Sequence, residues 1–310
     1  MSLLVVGSIA LDSVQTPFGE TADAPGGSAV FFAAAAAILH PVQVVGVVGS
    51  DYPLGVLQRL TERGADLAGV EQVAGESFRW KGKYTYDLSG RETLETRLGV
   101  FADFRPKIPE KFRAARHVFL GNIDPGLQLS VLDQVRDPAL VACDTMNYWI
   151  QSRRDVLLQV LRHVDLVMVN DSEARELSGD WNVYRAARWI LAQGPRHCVI
   201  KQGEHGALLV SAEETFKVPA YPLQEVFDPT GAGDAFAGGF MAHLASTGDH
   251  SPANLRRAMV YGAAMGSFAV EAFGVQGFDA VTPADVRARA RGFRELVRFE
   301  LGTEHGGGAA

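Results

Sequence analysis

The chain is 310 residues long, enough to bury a large core as one domain or as one domain with a small appendage. Its 47% hydrophobic and 21% charged residues describe an ordinary globular protein, and a net charge of −7 without a basic cluster leaves no electrostatic footprint for nucleic acid or an anionic membrane. A local positive pocket for phosphate remains compatible with that balance. The two cysteines, Cys143 and Cys198, lie in apolar β-like runs without metal-type spacing, which points to reduced, buried thiols in a cytoplasmic protein.

At the start, "MSLLVVGSIALD" has no charged leader region and reads as a strand rather than a signal peptide. The longest apolar stretch, residues 29–39, stops at His40-Pro41 and is too short to span a bilayer. Short runs, "LLVVG", "VQVVGVVG", "HVFLG", "ALVACD", "VDLVMVN" and "HCVIKQG", then alternate with helical patterns at 28–39, 53–63, 127–135, 172–177, 183–191, 234–245, 251–270 and 283–298. That alternation predicts an α/β fold: a mainly parallel sheet in three layers, with helices on both faces. No repeat with a period of 20–50 residues occurs. Residues 301–310 lack apolar periodicity and are expected to form a flexible tail.

One region departs from this pattern. Residues 78–88, "FRWKGKYTYDL", alternate strictly, with Phe78, Trp80, Tyr84, Tyr86 and Leu88 on one side; "SGR" turns, and "ETLETRLGV" returns. This predicts a two-sided antiparallel hairpin whose aromatic face covers a site, meets a second subunit, or forms an edge of the main sheet. Pattern alone favours the edge.

In open parallel sheets ligands bind beyond the carboxyl ends of the strands, and polar residues follow most of these runs: Asp12, Asn122, Asp144, Asn170 and Lys201. Each has a local explanation as a turn or cap residue. Their number, together with two glycine-rich turns, favours a ligand cleft. "DPTGAGDAFAGGF" (228–240) places flexible glycines ahead of an apolar helix, whose first N–H groups lack partners and attract anions. "KQGEHG" (201–206) is a second anion-compatible turn, in which Gly203 and Gly206 free backbone amides and His205 is expected to face solvent. Asn170 and Glu173 form an N-x-x-E pair whose oxygens suit a water-rich Mg²⁺. Amide donors, a cation site and a carboxylate at a helix start are the parts of a phosphoryl-transfer site. No P-loop, dinucleotide fingerprint, H-E-x-x-H or G-x-S-x-G pattern competes with that reading.

"DPTGAGDAFAGGF" with "PGGSAVFFAAAAAIL" (25–39), "NDSE" and "KQGEHG" resembles the ribokinase-like (PfkB) carbohydrate and nucleoside kinases, in the right order from about residue 3 to 277. The resemblance implies one kinase domain over 1–300, with β-lid segments at about 13–24 and 76–102. It implies an ATP-dependent phosphotransferase acting on a primary hydroxyl of a sugar or sugar derivative. A nucleoside kinase of the same fold is the alternative, and a non-catalytic nucleotide- or sugar-binding regulator is the alternative of another class. By position, Asp234 is the base and the amides of Gly231, Ala232, Gly233 and Asp234 form the anion hole. Asn170 and Glu173 organise Mg²⁺ and phosphate, Glu173 through water. Lys201, Gly203, Gly206 and Thr230 serve the nucleotide, and Asp228 with Thr230 matches a monovalent-cation (K⁺) site of many members. Asp12, Gly26 and Gly27 match sugar-binding positions, with Phe31 and Asn122 beside them. The lid also implies a homodimer contact.

Two substitutions set this chain apart. Ala10 and Phe31 stand where ribokinase-type members carry Asn, so the acceptor half has lost polar groups while the phosphoryl half is intact. Asp234, at a helix start, is expected to stay ionised with an ordinary or depressed pKa. The roles of Asp144, Asn147 and Trp149 stay open on the sequence.

Overall fold

The computed structural model describes residues 1–300, so the expected tail at 301–310 lies outside the described residues. In chain order the strands are β1 (Leu3–Val6), β2 (Ala10–Thr16), β3 (Gly19–Gly26), β4 (Val42–Val48), β5 (Ala65–Gln72), β6 (Phe78–Tyr84), β7 (Arg91–Arg97), β8 (His117–Leu120), β9 (Leu140–Asp144), β10 (Leu166–Asn170), β11 (His197–Lys201), β12 (Ala207–Ser211) and β13 (Thr215–Val218). The helices are α1 (Ser28–Leu39), α2 (Leu54–Glu62), α3 (Pro125–Leu132), α4 (Asn147–Ser152), α5 (Arg154–Leu161), α6 (Asp171–Ser178), α7 (Val183–Leu191), α8 (Ala232–Thr247), α9 (Pro252–Ala269) and α10 (Pro283–Leu296).

The main sheet has nine strands in the order β13-β12-β11-β10-β9-β8-β1-β4-β5, parallel from β11 to β5 and antiparallel at β12 and β13. Alternate side chains of the parallel strands enter two cores. Leu3, Val5, Val44, Ala142 and Met168 pack with α1, α8 and α9 on one face. Leu4, Val6, Val45, Cys143 and Val169 pack with α5, α6 and α7 on the other. Burial on both faces explains why these strands are continuous apolar runs. Cys143 and Cys198 are buried and unbridged.

The chain runs one way from β1 through β4 to β5 and the other way through β8 to β13, so the strand order reverses between β1 and β8. A crevice opens at the carboxyl ends of strands at such a point. Two helices start beside it. The first, α1, is apolar all round and almost wholly buried, as a helix inside a large core must be. The second, α8, is wedged between α1 and α9 by bare glycine backbone. A Cβ on Gly238 would lie 2.4 Å from the Phe32 carbonyl oxygen, and one on Gly239 2.8 Å from that of Tyr261. No helix among the described residues is long and apolar enough to cross a membrane.

The aromatic hairpin is not an edge of the main sheet. With β2 and β3 it forms a separate four-stranded sheet, β3-β2-β6-β7, in which β2 and β6 are parallel. The strict alternation also fails: the register shifts after Lys81, β6 ends at Tyr84, and Tyr86 and Leu88 fall in the turn, Leu88 with φ +58°. The Trp80 ring lies across Gly82, where a Cβ would meet it at 2.1 Å. The irregularity thus follows from seating one indole on the sheet.

Candidate active site

Asp144, Asn170 and Lys201 end three adjacent parallel strands, with Met168 paired to Asp144 and Asn170 paired to Lys201. Side-chain alternation and register put all three at one edge. Lys201 Nζ donates to Asp144 Oδ2 at 2.7 Å, and the two side chains are only 16% and 7% exposed. Burial works against the lysine's charge, but Asp144, Glu173 and Asp234 outweigh it and hold its pKa above the usual value. One ammonium therefore serves three carboxylates.

Asn170 and Glu173 cap α6 reciprocally. The Glu173 N–H donates to Asn170 Oδ1 at 2.8 Å, and the Asn170 N–H donates to Glu173 Oε2 at 2.7 Å. The local cap reading is thus realised, and it leaves one Glu173 oxygen turned to other work. Glu173 is buried, and that burial, reinforced by Asp144, raises its pKa.

At the start of α8, Gly231 adopts φ +74° as the N-cap, with no side chain capping the helix. A Cβ there would strike the Phe31 ring at 2.2 Å, so only glycine fits. Ala232, Gly233 and Asp234 form the first turn; no side chain caps it, and the Ala232 N–H donates to the Pro229 carbonyl at 3.3 Å. Lys201 Nζ would lie 2.9 Å from a Cβ on Gly233, so it reaches this turn. Asp234 is half-buried. Its pKa is raised, first by burial and then by Asp144, against the pull of Lys201 and Arg91. The depressed value expected from a helix start is thus overridden by desolvation and a neighbouring like charge.

On the side of the small sheet, Asp12 is 6% exposed and its carboxylate lies over Gly26, where a Cβ would meet Oδ2 at 2.0 Å. Gly27 has φ +91°, and a Cβ there would strike the Ser8 carbonyl. Burial pushes the Asp12 pKa up to about 7, helped by Asp228 and Asp234, while the Gly27 N–H and Arg91 draw it down. Phe31, placed beside the sugar-binding positions by the resemblance, is instead only 1% exposed and packs under Gly231 and beside Gly26. Asn122 is also committed: it accepts from Trp149 Nε1 at 3.0 Å and donates to Met146 Sδ at 3.2 Å. Asn147 donates to Glu176.

The two glycines of the 201–206 turn differ in enclosure. Gly203 is exposed with φ +53°, and Gly206, with φ +83°, abuts the Val218 carbonyl. The Gly206 and His205 N–H groups are used within the turn, and His205 is exposed. Asp228, 1% exposed, accepts from the Thr230 N–H at 2.9 Å and the Gly274 N–H at 3.4 Å, lashing two loops together below Gly231. From the small sheet, the Tyr84 hydroxyl reaches Thr230 Oγ1 at 3.1 Å, so the hairpin leans over the site.

Two residues near the cleft carried no signal in the sequence. Arg91 begins β7 directly after the hairpin turn. Tyr52 buries its hydroxyl without a partner, near enough to Asp12 for that charge to raise its pKa, though burial is the larger cause.

A stability experiment reads the environment of Asp12. A carboxylate whose folded pKa is raised from 3.8 to about 7 stabilises the fold when protonated, and that contribution is lost as pH climbs through about 7. Buried histidines act oppositely, with His117 held down to about 4. The contrast between proteins therefore carries the test. Asp12→Asn is expected to raise the melting temperature more at pH 8 than at pH 5.5, with a ceiling of about 4 kcal/mol. An equal effect at both pH values, measured by calorimetry, removes the shift.

Comparison with known proteins bears on the family and the fold. The pfkB family of carbohydrate kinases matches residues 3–281. A cytidine kinase of Thermococcus kodakarensis is 32% identical over 247 residues, covering 78% of this chain and 88% of its own. A ribokinase of Lactococcus lactis is 27% identical over 294 residues, covering 88% and 92%. Among solved structures, a ribokinase II of E. coli in complex with ATP and Mg²⁺ superposes with a TM-score of 0.76 at 21% identity, covering 94% of this chain and 99% of its own. The small sheet beside a nine-stranded α/β sheet, the uncapped glycine turn before Asp234 and the match over nearly the whole chain lead to one conclusion: this protein belongs to the pfkB family of carbohydrate kinases.

Proposed function

We propose that this ATP-dependent phosphotransferase acts on the primary hydroxyl of a ribosyl compound bearing an apolar or aromatic substituent, a nucleoside first among them. The observation that carries the reading is the meeting of two aspartates from different parts of the fold. Asp12 on the small sheet and Asp234 at the start of α8 face one cleft closely enough for the charge of Asp234 to raise the pKa of Asp12. A sugar held by Asp12 through vicinal hydroxyls would present its primary hydroxyl to Asp234. Ala10 and Phe31, each 1% exposed, offer no polar group there, so an unpartnered hydroxyl on a plain sugar costs binding. The Thermococcus kodakarensis relative, a cytidine kinase, supports a nucleoside.

In this reading Asp234 takes the proton of the acceptor hydroxyl as its oxygen bonds to the γ-phosphorus. The electron pair of the breaking bond leaves with the bridging oxygen of ADP. The N–H groups of Gly231, Ala232, Gly233 and Asp234 receive the transferring phosphoryl group. Lys201, Gly203, Gly206 and Thr230 border the nucleotide. Buried Glu173 and Asp144 share one ammonium, an excess of negative charge that fits a Mg²⁺ held through water by Glu173 and Asn170. When bound, Mg²⁺ would neutralise phosphate charge. A K⁺ beside Asp228 and Thr230 would order the loop under Gly231, and the exposed Phe18 and Tyr86 suit a lid-to-lid homodimer.

A coupled ADP-release screen over sugars, polyols and nucleosides, run with K⁺ and with a bulky organic cation, tests this. We expect kcat/KM for a nucleoside to exceed that for ribose by about 10-fold or more, within the roughly 5–150-fold that one unpaired hydroxyl is worth. K⁺ should raise the rate. A preference for ribose overturns the acceptor assignment, equal rates in both salts overturn the K⁺ assignment, and no ADP release with any acceptor leaves a binding regulator.

A further inference from the structure

Arg91 is a charged feature of the cleft that the roles above leave unused. It opens β7 opposite Tyr84, the last residue of β6, so the pair closes the hairpin end. The Tyr84 hydroxyl is pinned to Thr230, immediately before Gly231. The Arg91 guanidinium lies 5.2 Å from the centre of the Trp80 ring, which supports it from below. Among the described residues it forms no ion pair with any carboxylate, whereas Lys201 is held by Asp144. Yet its charge is felt at Asp12, Glu173 and Asp234. The hairpin thus carries a guanidinium without a carboxylate partner to a cleft crowded with carboxylates, beside the loop that precedes the anion hole.

We infer that Arg91 is a catalytic residue that donates to an oxygen of the phosphoryl group in flight, with Tyr84 as the positioning residue that fixes the hairpin through Thr230. The inference rests on the kinase reading above. The hydroxyl oxygen bonds to the γ-phosphorus as the bond to the ADP oxygen breaks, and the proton goes to Asp234. Arg91 exchanges no proton and balances the charge on the equatorial oxygens. A planar guanidinium suits that geometry better than an ammonium.

The test separates binding from chemistry in the full-length protein. Arg91→Met is expected to lower kcat about a thousandfold, in the range that supplied arginines contribute to phosphoryl transfer, with KM for the acceptor unchanged within about threefold. Arg91→Lys should recover only part of that loss, and guanidinium chloride at low millimolar concentration should partly rescue Arg91→Ala but not the unmodified protein. Independently of turnover, Trp fluorescence should show ADP with aluminium fluoride binding about 100-fold more weakly to Arg91→Met, and ADP alone within about threefold. Tyr84→Phe, which keeps the guanidinium and loses only the bond to Thr230, should lower kcat less than Arg91→Met and gain nothing from guanidinium chloride. Full kcat in Arg91→Met, or a raised acceptor KM with unchanged kcat, overturns the inference; the latter would place Arg91 on the acceptor. If the unmodified protein releases no ADP yet still discriminates ADP from ADP with aluminium fluoride through Arg91, the acceptor reading has failed and the arginine assignment has not.

Discussion

Replacing Asp234 by Asn is expected to lower kcat by about 10²–10⁴-fold, the range lost with a positioned acid–base group, while ATP still binds. The asparagine keeps the first turn of α8, because the helix N-cap is Gly231 and no side chain caps it. It removes both the proton acceptor and one of the three carboxylates around Lys201. The raised pKa of Asp234 gives this a second, opposite readout: desolvation and Asp144 penalise its charged form, so the variant should be more thermostable than the parent at pH 8 and gain less at pH 5. Lower turnover with higher stability is the signature of a residue held for chemistry against the interest of the fold. Near-full turnover in a correctly folded Asp234→Asn protein would remove Asp234 from the mechanism.

The parallel part of the fold was legible because burial on both sides makes β1, β4, β8, β9, β10 and β11 continuous apolar runs, a signal that needs no partner to be recognised. The strands that escaped are those whose pattern depends on what they meet. β3, "GETADAPG", is mostly exposed and exists as a strand because it pairs with β2. β12 and β13 return antiparallel at the far edge, and β5 closes the other. The helix α5 was hidden because Arg153 and Arg154 break up the apolar run, although its Leu157, Val160 and Leu161 reach the core at helical spacing.

The cleft was legible where backbone geometry demands particular residues. Gly231 and Gly27 occupy positive-φ positions with no room for a side chain, so their chemistry is written in the sequence. Charges are different, since a pKa depends on neighbours brought in from distant segments. Asp234 looked like a depressed carboxylate at a helix start, and only the return of β9 places Asp144 beside it. Phe31 stands beside the sugar-binding positions in the sequence, but the turn at Gly231 sits on its ring. Arg91 had no pattern at all: an arginine after a hairpin turn is ordinary until the register with Tyr84 and the reach of Tyr84 to Thr230 are known.

The same network makes Lys201 the residue whose loss should cost the fold most. Lys201→Met keeps the stem that lies against Gly233 but leaves Asp144 buried without its 2.7 Å partner, beside Glu173 and Asp234. Removing one member of a buried ion pair typically costs about 3–5 kcal/mol. For a chain of this size that corresponds to a fall in melting temperature of roughly 5–8 °C. The thiol-free, uncharged replacement cannot compensate, so the carboxylates must either take up protons or draw in water. The loss should therefore be larger at pH 8, where protonation is least available, than at pH 5. Adding Asp144→Asn to Lys201→Met should restore a large part of the stability, because it removes the stranded charge while Asn can still accept the Thr145 N–H that Asp144 Oδ1 now holds at 2.7 Å. It should not restore kcat, since the ammonium that reaches the first turn of α8 stays absent. Calorimetry on the two single variants and the double variant at both pH values decides the matter. Additive losses, or a Lys201→Met protein within about 1 kcal/mol of the parent, would mean that Asp144 is solvated from the cleft and that Lys201 is not its charge partner in solution.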